Sequence, residues 1–303
     1  MPQEPAVRTL SVLSAPSTGV FRAEHATAHG VTSNQLARLR AQGVIERVHP
    51  STYRMTAVAP SDTQRLRAAL LWAGARAAAA GRSAAALYHL EGVRPTQSEI
   101  VLPHDVRGRA SGITVSHADP ASQMIRRVGG LRTTGVAATL LRLAHLLDEE
   151  SFEIACEDAR RRQLTSIPAL RAYLRRFARQ GRPGVSRLRR LIDELDATWP
   201  SRSTLEVKTR RLLVANGLTD FTREFPLGWN GRTYRFDFAF EAQRTILETN
   251  GRRWHDDATD YERDNAKWSV PGCHGYRLLL ATWDRVTRHP DQFLGELVTT
   301  LAA

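Results

Sequence analysis

Two carboxylates in the C-terminal third of the chain have a spacing that suits metal-assisted chemistry. Asp237 lies in the run RTYRFDFAF and Glu248 in RTILETNG, and both runs have the composition of β-strands. A short turn between neighbouring strands brings mid-strand carboxylates together, and such oxygen ligands suit Mg²⁺ or Mn²⁺. An ion there polarises a scissile phosphate and activates the attacking water. The pair predicts a metal-dependent phosphodiesterase.

The motifs around this pair resemble a nuclease family. The pattern D-x(10)-E-x-N-G-x-x-x-H, followed by YERDNAKW and GYRLLLATWDRVTRHP, is similar to the DUF559 endonuclease-like domain. That domain is related to the very-short-patch repair endonucleases of the PD-(D/E)XK superfamily, and the resemblance spans nearly all of Leu205–Leu301. It implies that Asp237 and Glu248 bind the metal and that Glu206 helps to hold the ion or a water. The positions that match family motifs are Glu206, Asp237, Glu248, His255, Asp264 and Lys267.

Asn250 departs from the family pattern, which has Lys or Asp at this position. An asparagine can coordinate a metal or orient a water, but it supplies no charge and takes up no proton. If Asn250 is tolerated, His255 is the better general base or phosphate contact, because an unperturbed imidazole titrates near neutral pH. If Asn250 is not tolerated, the domain is a degenerate nuclease that only binds DNA.

Each of these residues also has a structural interpretation without chemistry. Glu206 could be an N-terminal helix carboxylate that the helix dipole favours. Asp237 and Glu248 could form surface ion pairs with arginines, and His255 could pack beside its tryptophan neighbour. The sequence leaves these alternatives open.

The elements that carry the acidic residues occupy a predicted third domain, residues 199–303. Ser203 or Thr204 caps a helix, and a hairpin then turns at Asn230-Gly231. A strand, a helix, a second strand and a final helix near Pro290 follow. The alternation of the second hairpin strand predicts one shared face for Tyr234, Phe236, Phe238 and Phe240.

The first domain, residues 1–60, has the pattern of a winged helix. Phe21–His29 predicts a helix that ends at Gly30, and SNQLARLRAQG predicts a second helix capped by Thr32 or Ser33. The run VIERVHPSTYRM predicts a two-stranded wing, although any small helical domain can end in a hairpin. The segment resembles the N-terminal domain of the AbiEi antitoxins, with Ser51 where that family usually has Gly. The resemblance implies DNA binding by the second helix.

Ten residues are the predicted DNA contacts of the whole chain. They are Ser33, Asn34, Gln35, Arg38, Arg40, Arg47, Arg54, Arg252, Arg253 and Lys267.

The middle domain, residues 61–198, is predicted to be mostly helical with a short β element formed by EIVLP and GITVSH. It resembles the middle region of AbiEi-like proteins, and Asp62 is the predicted cap of its first helix. Its arginines form either a solvated helix face or a surface that follows phosphates. These arginines are Arg160, Arg161, Arg162, Arg175, Arg176, Arg179, Arg182, Arg187, Arg189 and Arg190.

Composition is consistent with a nucleic-acid partner. The net charge is +12 over 303 residues, which favours a polyanion. The two cysteines predict neither a disulfide framework nor a zinc site. The N-terminus lacks the pattern of a signal peptide and the apolar runs are too short to span a bilayer, so we expect a cytoplasmic or nucleoid-associated protein without a membrane partner.

The sequence thus predicts a multidomain α/β protein that binds duplex DNA and hydrolyses it with Mg²⁺ or Mn²⁺. The alternative is a DNA-binding regulator, similar to a type IV antitoxin, with a degenerate nuclease fold. A cognate toxin or a second copy of the chain is the other partner considered.

Overall fold

The computed structural model describes residues 4–179, 181–196, 203–250 and 258–303. The chain forms two compact units: Met1–Ala155 with Leu164–Arg189, and Cys156–Gln163 with Arg190–Ala303. Helices and sheets occur in both, so the protein is a mixed α/β, multidomain protein as the sequence predicts. The finer division at residues 60 and 198 stays a prediction. None of the described helices is long and apolar enough to cross a membrane.

The N-terminal segment combines a helix pair with a small sheet. Its elements are α1 (Glu4–Ser14), β1 (Val20–Arg22), α2 (Ala23–Ala28), α3 (Ser33–Ala41), β2 (Ile45–His49) and β3 (Thr52–Met55), with strand order β1-β3-β2. Thr32 caps α3, and Gln35 completes the capping box. The predicted second helix and hairpin are confirmed. The predicted first helix begins too early, because Phe21 and Arg22 belong to β1, which pairs with β3.

The middle segment contains more β-structure than the sequence predicts. Its elements are α4 (Asp62–Ala73), β4 (Ala78–Ala79), α5 (Gly81–Leu87), β5 (Ser98–Leu102), β6 (Ile113–His117), α6 (Pro120–Gln123), β7 (Arg126–Val128), β8 (Leu131–Thr133), α7 (Val136–Leu146), α8 (Glu149–Arg161), α9 (Ile167–Phe177) and α10 (Val185–Asp196). The two predicted runs, β5 and β6, belong to a five-stranded sheet of order β6-β5-β4-β8-β7. The side-chain cap of α4 comes from Ser61 and not from the predicted Asp62, which occupies the first helical position.

The C-terminal segment is a four-stranded sheet with helices. Its elements are α11 (Thr204–Ala215), β9 (Thr222–Trp229), β10 (Arg232–Phe240), β11 (Thr245–Asn250), α12 (Ala258–Cys273), β12 (Arg277–Thr282), α13 (Trp283–Thr287) and α14 (Pro290–Ala302). The strand order is β12-β11-β10-β9; β11 and β12 are parallel and the other pairs antiparallel. Asn230 and Gly231 both have positive φ, as a tight hairpin turn requires, so the predicted turn is confirmed.

The prediction that the four aromatic residues of β10 share one face is wrong. Tyr234 and Phe236 pack in one core cluster, together with Ala239, whereas Phe238 and Phe240 pack in another. The alternation therefore breaks beside Asp237. Glu224, which the hairpin register places opposite Asp237, has a left-handed backbone with φ 51°. This local irregularity coincides with the acidic cluster described next.

Candidate functional site

Strands β10 and β11 hold Asp237 and Glu248 against each other. The backbone N–H of Thr249 donates to Oδ2 of Asp237 at 2.8 Å, and the Thr249 hydroxyl donates to the same oxygen. In return, the backbone N–H of Asp237 donates to Oε2 of Glu248 at 3.1 Å. These reciprocal bonds fix both carboxylates, because each depends on the backbone of the neighbouring strand.

Three carboxylates converge at Asp237. One oxygen each from Glu206, Glu224 and Asp237 lies within 4.8 Å of the other two. The residues are 0%, 7% and 5% exposed, so water screens their mutual repulsion poorly. Glu206 reaches the site from the first turn of α11, where Ser203 caps the helix through the N–H of Glu206. Arg223 donates to Oε1 of Glu206 at 3.0 Å.

This donor set fits a hard divalent cation. Mg²⁺ and Mn²⁺ favour carboxylate oxygens, and oxygens on opposite sides of an ion bound at about 2.1–2.5 Å are about 4–5 Å apart. The observed separation is therefore close to that of a coordinating set. Like charges repel in a poorly screened site, and a divalent cation would offset that repulsion, which agrees with the same fit.

Glu248 forms an ion pair with Lys267. The Lys267 ammonium on α12 donates to Oε1 of Glu248 and lies 5.0 Å from the centre of the Phe236 ring. Burial raises the pKa of Glu248 to about 7, the nearby Asp237 carboxylate adds to the rise, and Lys267 opposes it. In the structure Lys267 forms an ion pair with Glu248, and its predicted role as a DNA contact stays a prediction.

The other predicted residues of this region have different positions. Asn250 lies half-buried at the end of β11, in register with Thr282 of β12. By strand alternation it shares a face with Glu248. His255, Arg252 and Arg253 lie outside the described residues.

Glu224 is the carboxylate that the sequence analysis missed. The signal was present: a turn at Asn230-Gly231 pairs Trp229 with Arg232, and the same register places residue 224 opposite Asp237. Counting back along the predicted hairpin would have found it.

The predicted DNA-reading residues of the N-terminal segment fall into two groups. Five side chains are exposed on α3 and the hairpin: Ser33, Asn34, Arg38, Arg40 and Arg47. Two others have intramolecular roles. Gln35 accepts the backbone N–H of Thr32 at 2.8 Å, and Arg54 donates to Glu46 at 2.8 Å.

Ser51 lies at the turn of this hairpin, between β2 and β3. Its φ is 55°, the left-handed conformation that glycine adopts most easily. The serine therefore keeps the turn that the family's usual glycine would form.

Residues 14–56 match the family model described as "Transcriptional regulator, AbiEi antitoxin". The match covers α2, α3 and the whole hairpin, and it agrees with the resemblance seen in the sequence.

Relatives of the chain occur in Mycobacterium tuberculosis. Two proteins, named as uncharacterized proteins MT2308 (strain CDC 1551 / Oshkosh) and Rv2248 (strain ATCC 25618 / H37Rv), are each 26% identical over 274 residues, which is 89% of this chain and 97% of theirs.

Two solved structures show weaker similarity. The crystal structure of the Rv2827c protein from M. tuberculosis has a TM-score of 0.47 and 22% identity, over 67% of this chain and 80% of that chain. The catalytic domain of homing endonuclease I-Bth0305I has a TM-score of 0.26 and 20% identity, over 32% of this chain and 97% of that chain. Both TM-scores lie below 0.5, so neither similarity defines this fold or its function.

Proposed function

We propose that the C-terminal segment of this protein is a PD-(D/E)XK-type nuclease that hydrolyses DNA phosphodiester bonds with Mg²⁺ or Mn²⁺. The observation that carries the proposal is the buried convergence of Glu206, Glu224 and Asp237. The order of elements supports it: a helix, three antiparallel strands, a helix and a parallel strand, with acidic residues at the first helix turn and on neighbouring strands.

Glu206, Glu224 and Asp237 would hold the ion, and Glu248 lies one hydrogen bond from Asp237. A divalent ion bound there supplies the Lewis acidity that polarises a scissile phosphate and activates water. The Thr249 hydrogen bonds keep Asp237 in place, so the site is organised before substrate arrives.

Lys267 supplies the positive charge that Asn250 cannot. The superfamily pattern expects a charged residue at position 250, yet here an ammonium reaches the neighbouring carboxylate from α12. In this position Lys267 orients Glu248 and offsets the negative charge that a DNA phosphate would add. The replacement of the superfamily's charged residue by Asn250 is therefore compatible with nuclease catalysis.

Trp283 offers a contact for the nucleic acid itself. Its side chain is 48% exposed, and it directly follows Thr282, the residue in register with Asn250. The Lys208 ammonium lies 5.7 Å from the centre of its ring. An exposed indole beside a cation suits stacking of a base whose phosphate is close to a lysine.

The N-terminal segment would bind duplex DNA as a winged helix, with α3 in the major groove. The family match and the exposed polar side chains of α3 support this role. Phosphate contacts by Arg38, Arg40 and Arg47 would hold the chain on DNA in a salt-dependent manner.

Nicking of supercoiled plasmid by the full chain tests the proposal. We expect cleavage with Mg²⁺ or Mn²⁺, none with EDTA, and loss of cleavage in Asp237→Asn with DNA binding retained. Asp220→Asn is the matched control, because Asp220 is an exposed carboxylate shortly before β9. Trp283→Ala should weaken binding of single-stranded DNA. Activity of Asp237→Asn equal to that of the wild type would contradict the proposal.

The same experiment distinguishes the second candidate function, a DNA-binding transcriptional regulator. The match of residues 14–56 to a family of transcriptional regulators favours it. Salt-sensitive DNA binding without cleavage of any plasmid, linear or single-stranded substrate would support the regulator function and rule out the nuclease function.

A further inference from the structure

A large polar cavity lies in the first unit, and its lining includes none of the residues of the acidic cluster. Its volume is about 700 Å³, within the range of pockets that hold small molecules of nucleotide size. Strand ends of β5 and β6, helix α6, the start of α7 and the segment after α9 form its walls. None of the functions proposed above uses this cavity.

The cavity wall is strongly basic. Four arginines line it: Arg142 on α7, Arg176 near the end of α9, and Arg179 and Arg182 just beyond that helix. Among the described residues that line it, Asp119 is the one carboxylate, and its Oδ1 already accepts the N–H of Ala121 at 3.0 Å. The guanidinium groups come from separate elements, so the fold gathers them at one place.

Neutral polar groups and a helix end complete the wall. Gln123 and Thr134 are buried and line the cavity, and Gln123 donates to the Ser122 hydroxyl at 2.8 Å. Ala138, in the first turn of α7, also lines it, so the positive end of that helix dipole borders the space. Guanidinium forks, hydroxyls and helix N-termini are the groups that proteins use to bind phosphate.

We propose that this cavity is a binding site for a phosphate-bearing ligand. Four guanidinium groups provide more cationic hydrogen-bond donors than one carboxylate requires, which favours a di- or polyphosphate group over a simple organic acid. The phosphates belong either to a free nucleotide or to a nucleic-acid chain that enters the cavity. The site is independent of the proposed nuclease centre, because none of its lining residues belongs to the acidic cluster.

Calorimetric titration of the full chain in EDTA with pyrophosphate and with ATP tests the site. We expect one binding event per chain for both probes, weakened about 10–100-fold in Arg142→Gln and partly restored in Arg142→Lys. Arg179→Gln, at an exposed position, is a second variant whose probe binding is measured if Arg142→Gln fails to fold. Arg109→Gln removes an equal charge from an exposed loop outside the cavity and should bind as the wild type does.

A competing duplex oligonucleotide distinguishes the two sources of phosphate. Displacement of ATP by the duplex would assign the cavity to nucleic-acid phosphates, and retention of ATP would assign it to a free nucleotide. Asp237→Asn should bind both probes normally. The phosphate-binding result can therefore be interpreted even if the nuclease proposal fails. No binding of pyrophosphate and ATP at millimolar concentration, or equal binding by wild type and both glutamine variants, would overturn the proposal.

Discussion

The carboxylates of Glu206, Glu224 and Asp237 repel one another in a space that water barely reaches. Arg223 contacts one member of the group, Glu206. Like charges in a poorly screened site raise the free energy of the folded state, and a bound cation would lower it. A divalent cation held by these carboxylates would therefore stabilise the folded protein.

Asp237→Asn should make the metal-free protein more resistant to heat. The asparagine oxygen still accepts the Thr249 hydrogen bonds while one buried negative charge disappears, a gain of about 1 kcal/mol. Mn²⁺ at about 100 times its dissociation constant should stabilise the wild type by about 2.7 kcal/mol. It should stabilise the variant less, because one charged ligand is missing. Thermal unfolding in EDTA and in Mn²⁺ measures both effects. A wild-type unfolding temperature that is the same in EDTA and in Mn²⁺ would count against the proposed metal site.

Lys267→Gln should slow plasmid nicking by about 10²-fold, mainly through kcat. The ammonium neutralises Glu248 beside the reacting phosphate, so its loss affects the reaction more than DNA binding. Lys267→Arg keeps the charge and should recover part of the rate. A Lys267→Gln variant that only raises KM would show that the residue is a DNA contact, as its sequence motif suggests.

At the scale of elements, α3 is the helix proposed to contact DNA. Arg38 and Arg40 are exposed in its last turn, and the Thr32–Gln35 capping box fixes its start. The amide of Gln35 helps to cap the helix, so the exposed arginines are the more suitable contacts.

Arg38→Gln and Arg40→Gln should each reduce the salt dependence of duplex binding. Each lost phosphate contact lowers the slope of log K against log salt by about 0.9. Arg8→Gln, an exposed position on α1, is the control. Fluorescence anisotropy over a salt series gives the slopes, and identical slopes for all variants would exclude this face of α3 from the DNA interface.

The start of α8 should give a pH-dependent contribution to stability. Asp148 accepts the N–H of Ser151 at 2.8 Å, and this hydrogen bond holds the pKa of Asp148 below its ordinary value of 3.8. Because the folded pKa is lowered, the contribution is present above about pH 3.8 and is lost as pH falls through the folded value.

Asp148→Ala should therefore cost about 1 kcal/mol at neutral pH and much less in acid below both pKa values. Urea unfolding of both proteins at the two pH values measures the difference. An equal cost at both would show that the carboxylate charge plays no part.

Element by element, the sequence predicts best where a local signal sets the geometry. Asn230-Gly231 gives the hairpin and its register, and Thr32 gives the start of α3. Strand β4 was missed because two alanines in an alanine-rich run favour a helix, and only pairing with β5 and β8 makes them a strand. The Lys267–Glu248 pair joins a helix to a strand, a tertiary contact that no local pattern encodes.

At the scale of the whole molecule, the net charge of +12 coexists with a buried acidic cluster. Under the proposed function, the excess of arginine attracts a polyanion, and a metal ion held by the carboxylates lets a phosphate approach them. The segment proposed to bind DNA and the acidic cluster also belong to different compact units. Binding should thus depend on salt and cleavage on divalent metal, and the two should be separable by mutation.

The measurement that tests this account most directly is the rate of plasmid nicking as a function of Mn²⁺ for wild type and Glu224→Gln. Glu224 is the candidate ligand that the structure adds to those expected from the sequence. The account predicts that Glu224→Gln needs about tenfold more Mn²⁺ for half-maximal rate, consistent with loss of one charged ligand, and binds DNA normally. A Mn²⁺ dependence identical to that of the wild type would contradict the three-carboxylate centre.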